Sequence, residues 1–144
     1  MDPKQLSEKA IQAAENHQTG TDSTFLYSFL DFSFEYLTEE EKVRITCPVS
    51  EVMFNPIGFL HGGIVMYIAD TAMAHLCASV IGSPSVSLEV KTQFFRTARE
   101  GTIEAEAYFT KRGGTIQFAE CMLRDEKGSE LAKVSGTFYT MGSK

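Results

Sequence analysis

The sequence predicts an α+β domain in which an antiparallel β-sheet wraps around one long apolar α-helix. Three observations lead there. Residues 55–82, NPIGFLHGGIVMYIADTAMAHLCASVIG, open on turn residues, run almost uninterruptedly apolar, and stop at Gly82 and Pro84. Alternation of apolar and polar residues, the mark of half-buried strands, dominates the rest of the chain. The strand-like segments are joined by short turns, which favour antiparallel neighbours over helical crossovers.

In chain order, Asp2-Pro3 is a helix start, an Asp cap followed by Pro in the first turn. Leu6, Ala10, Ile11, Ala13 and Ala14 give that helix an apolar face to about Asn16, and His17 to Thr24 reads as a polar loop. Phe29 to Tyr36 alternates, with Leu30, Phe32, Phe34 and Tyr36 on one face, and predicts a strand. Thr38 to Lys42 is a charged turn. Val43, Ile45, Cys47 and Val49 continue as the second strand of a hairpin. The long helix follows. Ser85 to Arg96 then predicts a strand with Val86, Leu88, Val90, Thr92 and Phe94 on one face. Arg99 to Gly101 turns into a strand carrying Ile103, Ala105, Ala107 and Phe109. Lys111-Arg112-Gly113-Gly114 is a basic turn. Residues 115–124 and 130–141 are the last two strands, joined by the turn Asp125-Glu126-Lys127-Gly128. Nothing repeats and no linker divides the chain, so the expectation is one domain over 1–144, with a helix and loop (1–24) added to a core (25–141).

Composition narrows the function. A 144-residue chain that is 43% hydrophobic suits one core. A net charge of −6 with pI near 5.0 argues against a nucleic-acid partner. Cys47, Cys77 and Cys121 have no paired spacing and read as reduced core thiols. With MDPKQLSEKA showing no apolar signal core, the expected location is cytoplasmic. The apolar helix is long enough to span a membrane, but Asp70, His61, His75 and the paired glycines argue for a buried soluble helix and no membrane partner. No G-x-S-x-G elbow, H-E-x-x-H or nucleotide-type glycine loop occurs.

The chemistry concentrates in the helix. His61-Gly62-Gly63 opens it, where unpaired N–H groups and the macrodipole favour negative charge and glycine lets a ligand approach the backbone. Such a site can hold a thioester carbonyl and stabilise the oxyanion formed on attack. Asp70, eight positions after Gly62, lies roughly 12 Å along the same helix. Reacting atoms must come within about 3–3.5 Å. If both residues serve one substrate, Asp70 must therefore come from a second copy packed antiparallel, giving two sites per dimer. There it would be a general base for water or a direct nucleophile. Read singly, the residues leave plainer options open. Two glycines fit a tight turn, Asn55 a turn residue, His61 a cap, and Asp70 a carboxylate satisfied by Thr71 or a backbone N–H. His75 reads as a packing or interface residue.

Taken together, Asn55-Pro56-x-Gly58-x-x-His61-Gly62-Gly63 followed by Ala69-Asp70 resembles the signature of hotdog-fold thioesterases of the phenylacetate-degradation (PaaI-like) group. Val86-Ser87-Leu88-Glu89-Val90 and Phe94-Phe95-Arg96 resemble that group's strand after the helix, and the likeness runs over roughly residues 28–141. The resemblance implies a hotdog fold and an acyl-CoA thioesterase acting as a homodimer or dimer of dimers, with no cofactor beyond the CoA of its substrate. It implies that the Gly62 N–H polarises the carbonyl, Asn55 orients it or the water, His61 assists at the helix start, Asp70 is base or nucleophile, and Ser87 assists the acid. Arg96, Lys111, Arg112 and Gly113 would lie near the nucleotide end of CoA. Met66, Tyr67, Met73 and Phe54 are candidates to line an acyl tunnel. A non-catalytic acyl-CoA-binding protein and a hotdog hydratase or dehydratase are the rival readings.

Overall fold

The computed structural model describes residues 1–142 and divides the chain into two compact units, 1–33 and 34–144. In the first unit, α1 (Pro3–Asn16) starts at a reciprocal cap. The Asp2 carboxylate accepts from the Gln5 N–H at 2.8 Å, and the Asp2 N–H donates to Gln5 Oε1 at 3.1 Å. A short helix, α2 (Phe25–Phe29), follows, and Lys9 of α1 forms an ion pair with Asp31 beyond it. The expected strand at Phe29 is thus corrected: Phe25–Phe29 is helical, and pairing begins only at Ser33. Alternation over Leu30 and Phe32 misled because Asp31, at φ 55°, reverses the chain between them.

The second unit holds β1 (Ser33–Leu37, which starts one residue before the division), β2 (Lys42–Pro48), α3 (Gly62–Ile81), β3 (Ser85–Phe94), β4 (Thr102–Arg112), β5 (Ile116–Asp125) and β6 (Glu130–Thr140). The strands form one antiparallel sheet in the order β1-β2-β4-β5-β6-β3, and α3 packs against β2 to β6. Alternation sets the faces. Val43, Ile45 and Cys47 on β2, Ile103, Ala105 and Ala107 on β4, Ala119, Cys121 and Leu123 on β5, and Val134 and Phe138 on β6 are buried. They meet Ile68, Ala69, Ala72, Met73, Leu76 and Cys77 of α3 in one core. All three cysteines are buried free thiols. The other face of the sheet carries charges that pair with one another. Arg44 bonds Glu106 at 2.8 Å, and Lys133 bonds Glu120 at 3.0 Å.

The helix ends where its residues require. His61 caps the start and Gly82, at φ 83°, ends it in the left-handed region. Two strand details differ from the alternation. Lys111 and Arg112 belong to β4, beyond an irregularity between Phe109 and Lys111, so the turn is confined to residues 113–115. In β3, Ser87 pairs with Phe138 and Glu89 with Thr137, leaving Leu88 as an extra, unpaired residue. Leu88 therefore ends the common face expected for Val86 to Phe94. Val90, Thr92 and Phe94 face α3, together with Ser87, while Val86 pairs with exposed Tyr139 on the opposite face.

Candidate active site

The start of α3 is bound down by its own loop. The Asn55 side-chain oxygen accepts from the N–H groups of Ile57 and Phe59, both at 3.1 Å, and the Asn55 N–H donates to the Phe59 carbonyl at 2.7 Å. This is the turn role its position suggests. With Oδ1 occupied twice, the side chain's Nδ2 is left as the outward donor. The His61 N–H donates to the Met53 carbonyl at 2.8 Å, and the Leu60 N–H to that of Ala98 at 3.1 Å, fixing the loop to its neighbours.

The first-turn N–H groups of α3 then separate by use. The Gly63 N–H donates to His61 Nδ1 at 2.9 Å, and those of Ile64 and Val65 to the His61 carbonyl. The Gly62 N–H alone has no acceptor among the described residues. His61 is therefore an acceptor holding the helix start, the capping role. Gly62 borders a cavity of about 370 Å³ shared with Asn55, Phe59, Leu60, Val65, Phe94 and Arg96. The Phe94 ring lies over Gly62 so closely that a Cβ there would sit 3.0 Å from it.

Asp70 and Ser87 do not border that cavity; they face each other farther along α3 and β3. Burial pushes the Asp70 carboxyl above the ordinary carboxylate range, and the Ser87 hydroxyl offsets part of that rise. Asp70 Oδ1 is nevertheless buried without a hydrogen-bond partner. Thr71 does not satisfy it, because the Thr71 hydroxyl donates to the Tyr67 carbonyl at 2.7 Å. An orphaned acceptor on a half-buried acid is costly, and such groups gather at functional sites.

The expected CoA contacts are divided as well. Arg96 borders the Gly62 cavity and makes no ion pair among the described residues. Arg112 pairs with Glu41 at 2.6 Å, the Gly113 N–H donates to the Gln117 side chain at 3.0 Å, and Lys111 stays unpaired among the described residues. Gln117 pairs with Phe138, which pairs with Ser87, so the β4–β5 turn stands at the Ser87 end of the sheet. None of the four acyl-tunnel candidates borders the cavity; Met73 is fully buried in the core. His75 packs on Phe34 with ring centroids 4.6 Å apart and lies 2.9 Å from the Tyr36 hydroxyl. Sequence reasoning missed Phe59, Leu60, Val65 and Phe94 as cavity walls. Only Phe94 carried a signal, as the apolar end of a strand whose facing shifts at Leu88.

A family model described as the thioesterase superfamily matches residues 57–132. The 1,4-dihydroxy-2-naphthoyl-CoA hydrolase of Escherichia coli is 30% identical over 107 residues, 72% of this chain and 76% of that protein. Acyl-coenzyme A thioesterase 13 of Mus musculus is 31% identical over 94 residues, 63% of this chain and 66% of that protein. A Bacillus halodurans protein crystallised with CoA has the same fold, at TM-score 0.83 and 19% identity over 98% of this chain and 94% of that one. With a family model matching more than half its length over the very helix and strands that build the site, this chain belongs to the hotdog-fold thioesterase superfamily.

Proposed function

We propose that this chain hydrolyses acyl-CoA thioesters to the free acid and CoA, at sites each completed by two copies. The observation that carries the reading is the separation on one chain of two half-sites. The unused Gly62 N–H and the Asn55 amide border one cavity, while Asp70 and Ser87 lie elsewhere on the same helix and its facing strand. The family's thioester chemistry and its CoA-acting relatives supply the substrate class.

In this reading the thioester carbonyl enters the cavity and accepts from Gly62 N–H and Asn55 Nδ2. Both donors are fixed before substrate arrives, so they stabilise the developing oxyanion without reorganising. Asp70 of a second copy takes a proton from water as the water attacks the carbonyl carbon; the C–S bond then breaks and Asp70 returns the proton to the departing sulfur, so CoA leaves as its thiol. In the direct alternative the Asp70 carboxylate attacks the carbon, CoA leaves as its thiolate, and water hydrolyses the acyl–Asp70 anhydride to the free acid. Ser87 hydrogen-bonds the acid. Arg96 arrives with Gly62, and Lys111 and Arg112 arrive with Asp70 on the turn that Gly113 shapes, both toward the phosphates of CoA. β3 supports the pairing: it is an edge strand whose Val86, Leu88 and Phe94 are about half exposed or more.

The test is thiol release from a panel of acyl-CoAs by the wild type and by Asp70→Asn. Hydrolysis by the wild type and a loss of at least about a hundredfold in the variant are expected. Wild-type hydrolysis left untouched by the substitution would remove Asp70 from the mechanism. Tight binding with no turnover would favour a non-catalytic acyl-CoA sensor.

A further inference from the structure

Gln117 occupies a core position. It is 1% exposed, it shares the helix-facing side of β5 with Ala119 and Cys121, and Phe138 is its ladder partner. Alternation calls for an apolar side chain there, and a buried amide is costly unless its groups are bonded. Its partners are almost all in the β4–β5 turn. Oε1 accepts from the Gly113 N–H at 3.0 Å. Nε2 donates to the carbonyls of Gly113 and Gly114, both at 3.1 Å, and to Thr140 Oγ1 at 3.3 Å. The Thr140 N–H in turn donates to the Thr115 carbonyl at 2.7 Å, and Ser85 Oγ bonds Thr140 Oγ1 at 3.3 Å. A Cβ on Gly113 would stand 2.1 Å from the Ile116 carbonyl oxygen, so the turn admits only glycine there. A solvent-facing turn has been fastened from below by a side chain that the core would otherwise fill with carbon.

We propose that Gln117 is a positioning residue for the phosphate-bearing end of the substrate: its buried amide holds the 113–115 turn, and with it Lys111 and Arg112, in one shape before CoA binds. This rests on the reading that the turn meets CoA. It goes beyond that reading by assigning the fixed shape to a residue that touches no substrate. A turn already ordered loses less freedom on binding, so the gain appears in affinity for the nucleotide end and not in the chemical step. The Gly113 N–H, taken by Gln117, then serves the turn's shape, and contact with phosphate falls to the two cations.

The experiment compares an acyl-CoA with the N-acetylcysteamine thioester of the same acid, which has the reacting group but no phosphate or nucleotide. For Gln117→Leu, KM for the acyl-CoA should rise about tenfold with kcat unchanged, while both constants for the truncated thioester stay at wild-type values. Wild-type turnover of the truncated thioester also shows that the variant is folded. Should Gln117→Leu fail to fold, Thr140→Val, which removes one anchor of the amide and leaves its turn bonds, should show the same selective rise at smaller size. Unchanged KM for the acyl-CoA, or equal changes on both substrates, would overturn the assignment. A wild type inactive on both thioesters would overturn the thioesterase reading beneath it.

Discussion

Asp70 is kept at a cost to the fold, and that cost has a sign. Its carboxyl holds a proton more tightly in the folded chain than in the unfolded one. Folding therefore takes up a proton as pH rises from the ordinary value of 3.8 through the raised one, and stability falls across that window. Asp70→Asn should relieve the penalty at neutral pH. Tm should rise by roughly 2–4 °C at pH 7, a modest gain because the group is only half-buried, and by nothing below pH 3.5, as differential scanning calorimetry would read. A lower Tm at neutral pH would contradict the strained acid. Ser87 acts in the opposite sense by lowering the Asp70 pKa. Ser87→Ala should therefore move the acid limb of the kcat/KM profile to higher pH; a limb that stays put would detach Ser87 from Asp70. The residue types and their spacing were legible in the sequence, because Gly62 and Asp70 share one helix of fixed rise. The division of labour among the first-turn N–H groups was not. It depends on the His61 side chain turning back onto Gly63, which no spacing encodes.

At the scale of elements, the long helix and five of six strands were legible, because α3 is a nearly unbroken apolar run of helical length and the strands alternate against it. Local periodicity failed where one residue changes the phase of the backbone. Asp31 at φ 55° closes α2 where the pattern continues as a strand, and Leu88 shifts the facing of β3. Gly136 lies where Met73 of α3 packs closely on the sheet. A Cβ there would stand 2.6 Å from the Phe138 ring and 3.0 Å from Met73. Gly136→Ala should lower stability by about 1–3 kcal/mol through overpacking, measured by urea unfolding. No loss would mean that Phe138 and Met73 can shift without strain.

For the whole molecule, the two half-sites make a prediction about mixtures. A Gly62→Val chain keeps its Asp70, and an Asp70→Asn chain keeps its Gly62. Each protein alone should be inactive. Unfolded together and refolded, random pairing should return about a quarter of wild-type activity, since half the dimers are mixed and one of their two sites is intact. Absence of any recovery would place the whole site on a single chain. Sequence alone gave the reach argument for this arrangement, the roughly 12 Å between Gly62 and Asp70. The structure adds that Gly62 travels with Arg96, and Asp70 with the β4–β5 turn.

The unpaired Leu88 is a spare residue in β3. Its neighbours already hold the partners of a regular ladder, Ser87 opposite Phe138 and Glu89 opposite Thr137. Deleting Leu88 would close that ladder and leave Ser87 on the α3 side, beside Asp70. The single deletion should therefore keep turnover close to that of the wild type. A loss of turnover with the folded content of the domain retained, read by circular dichroism, would show that the bulge itself shapes the site.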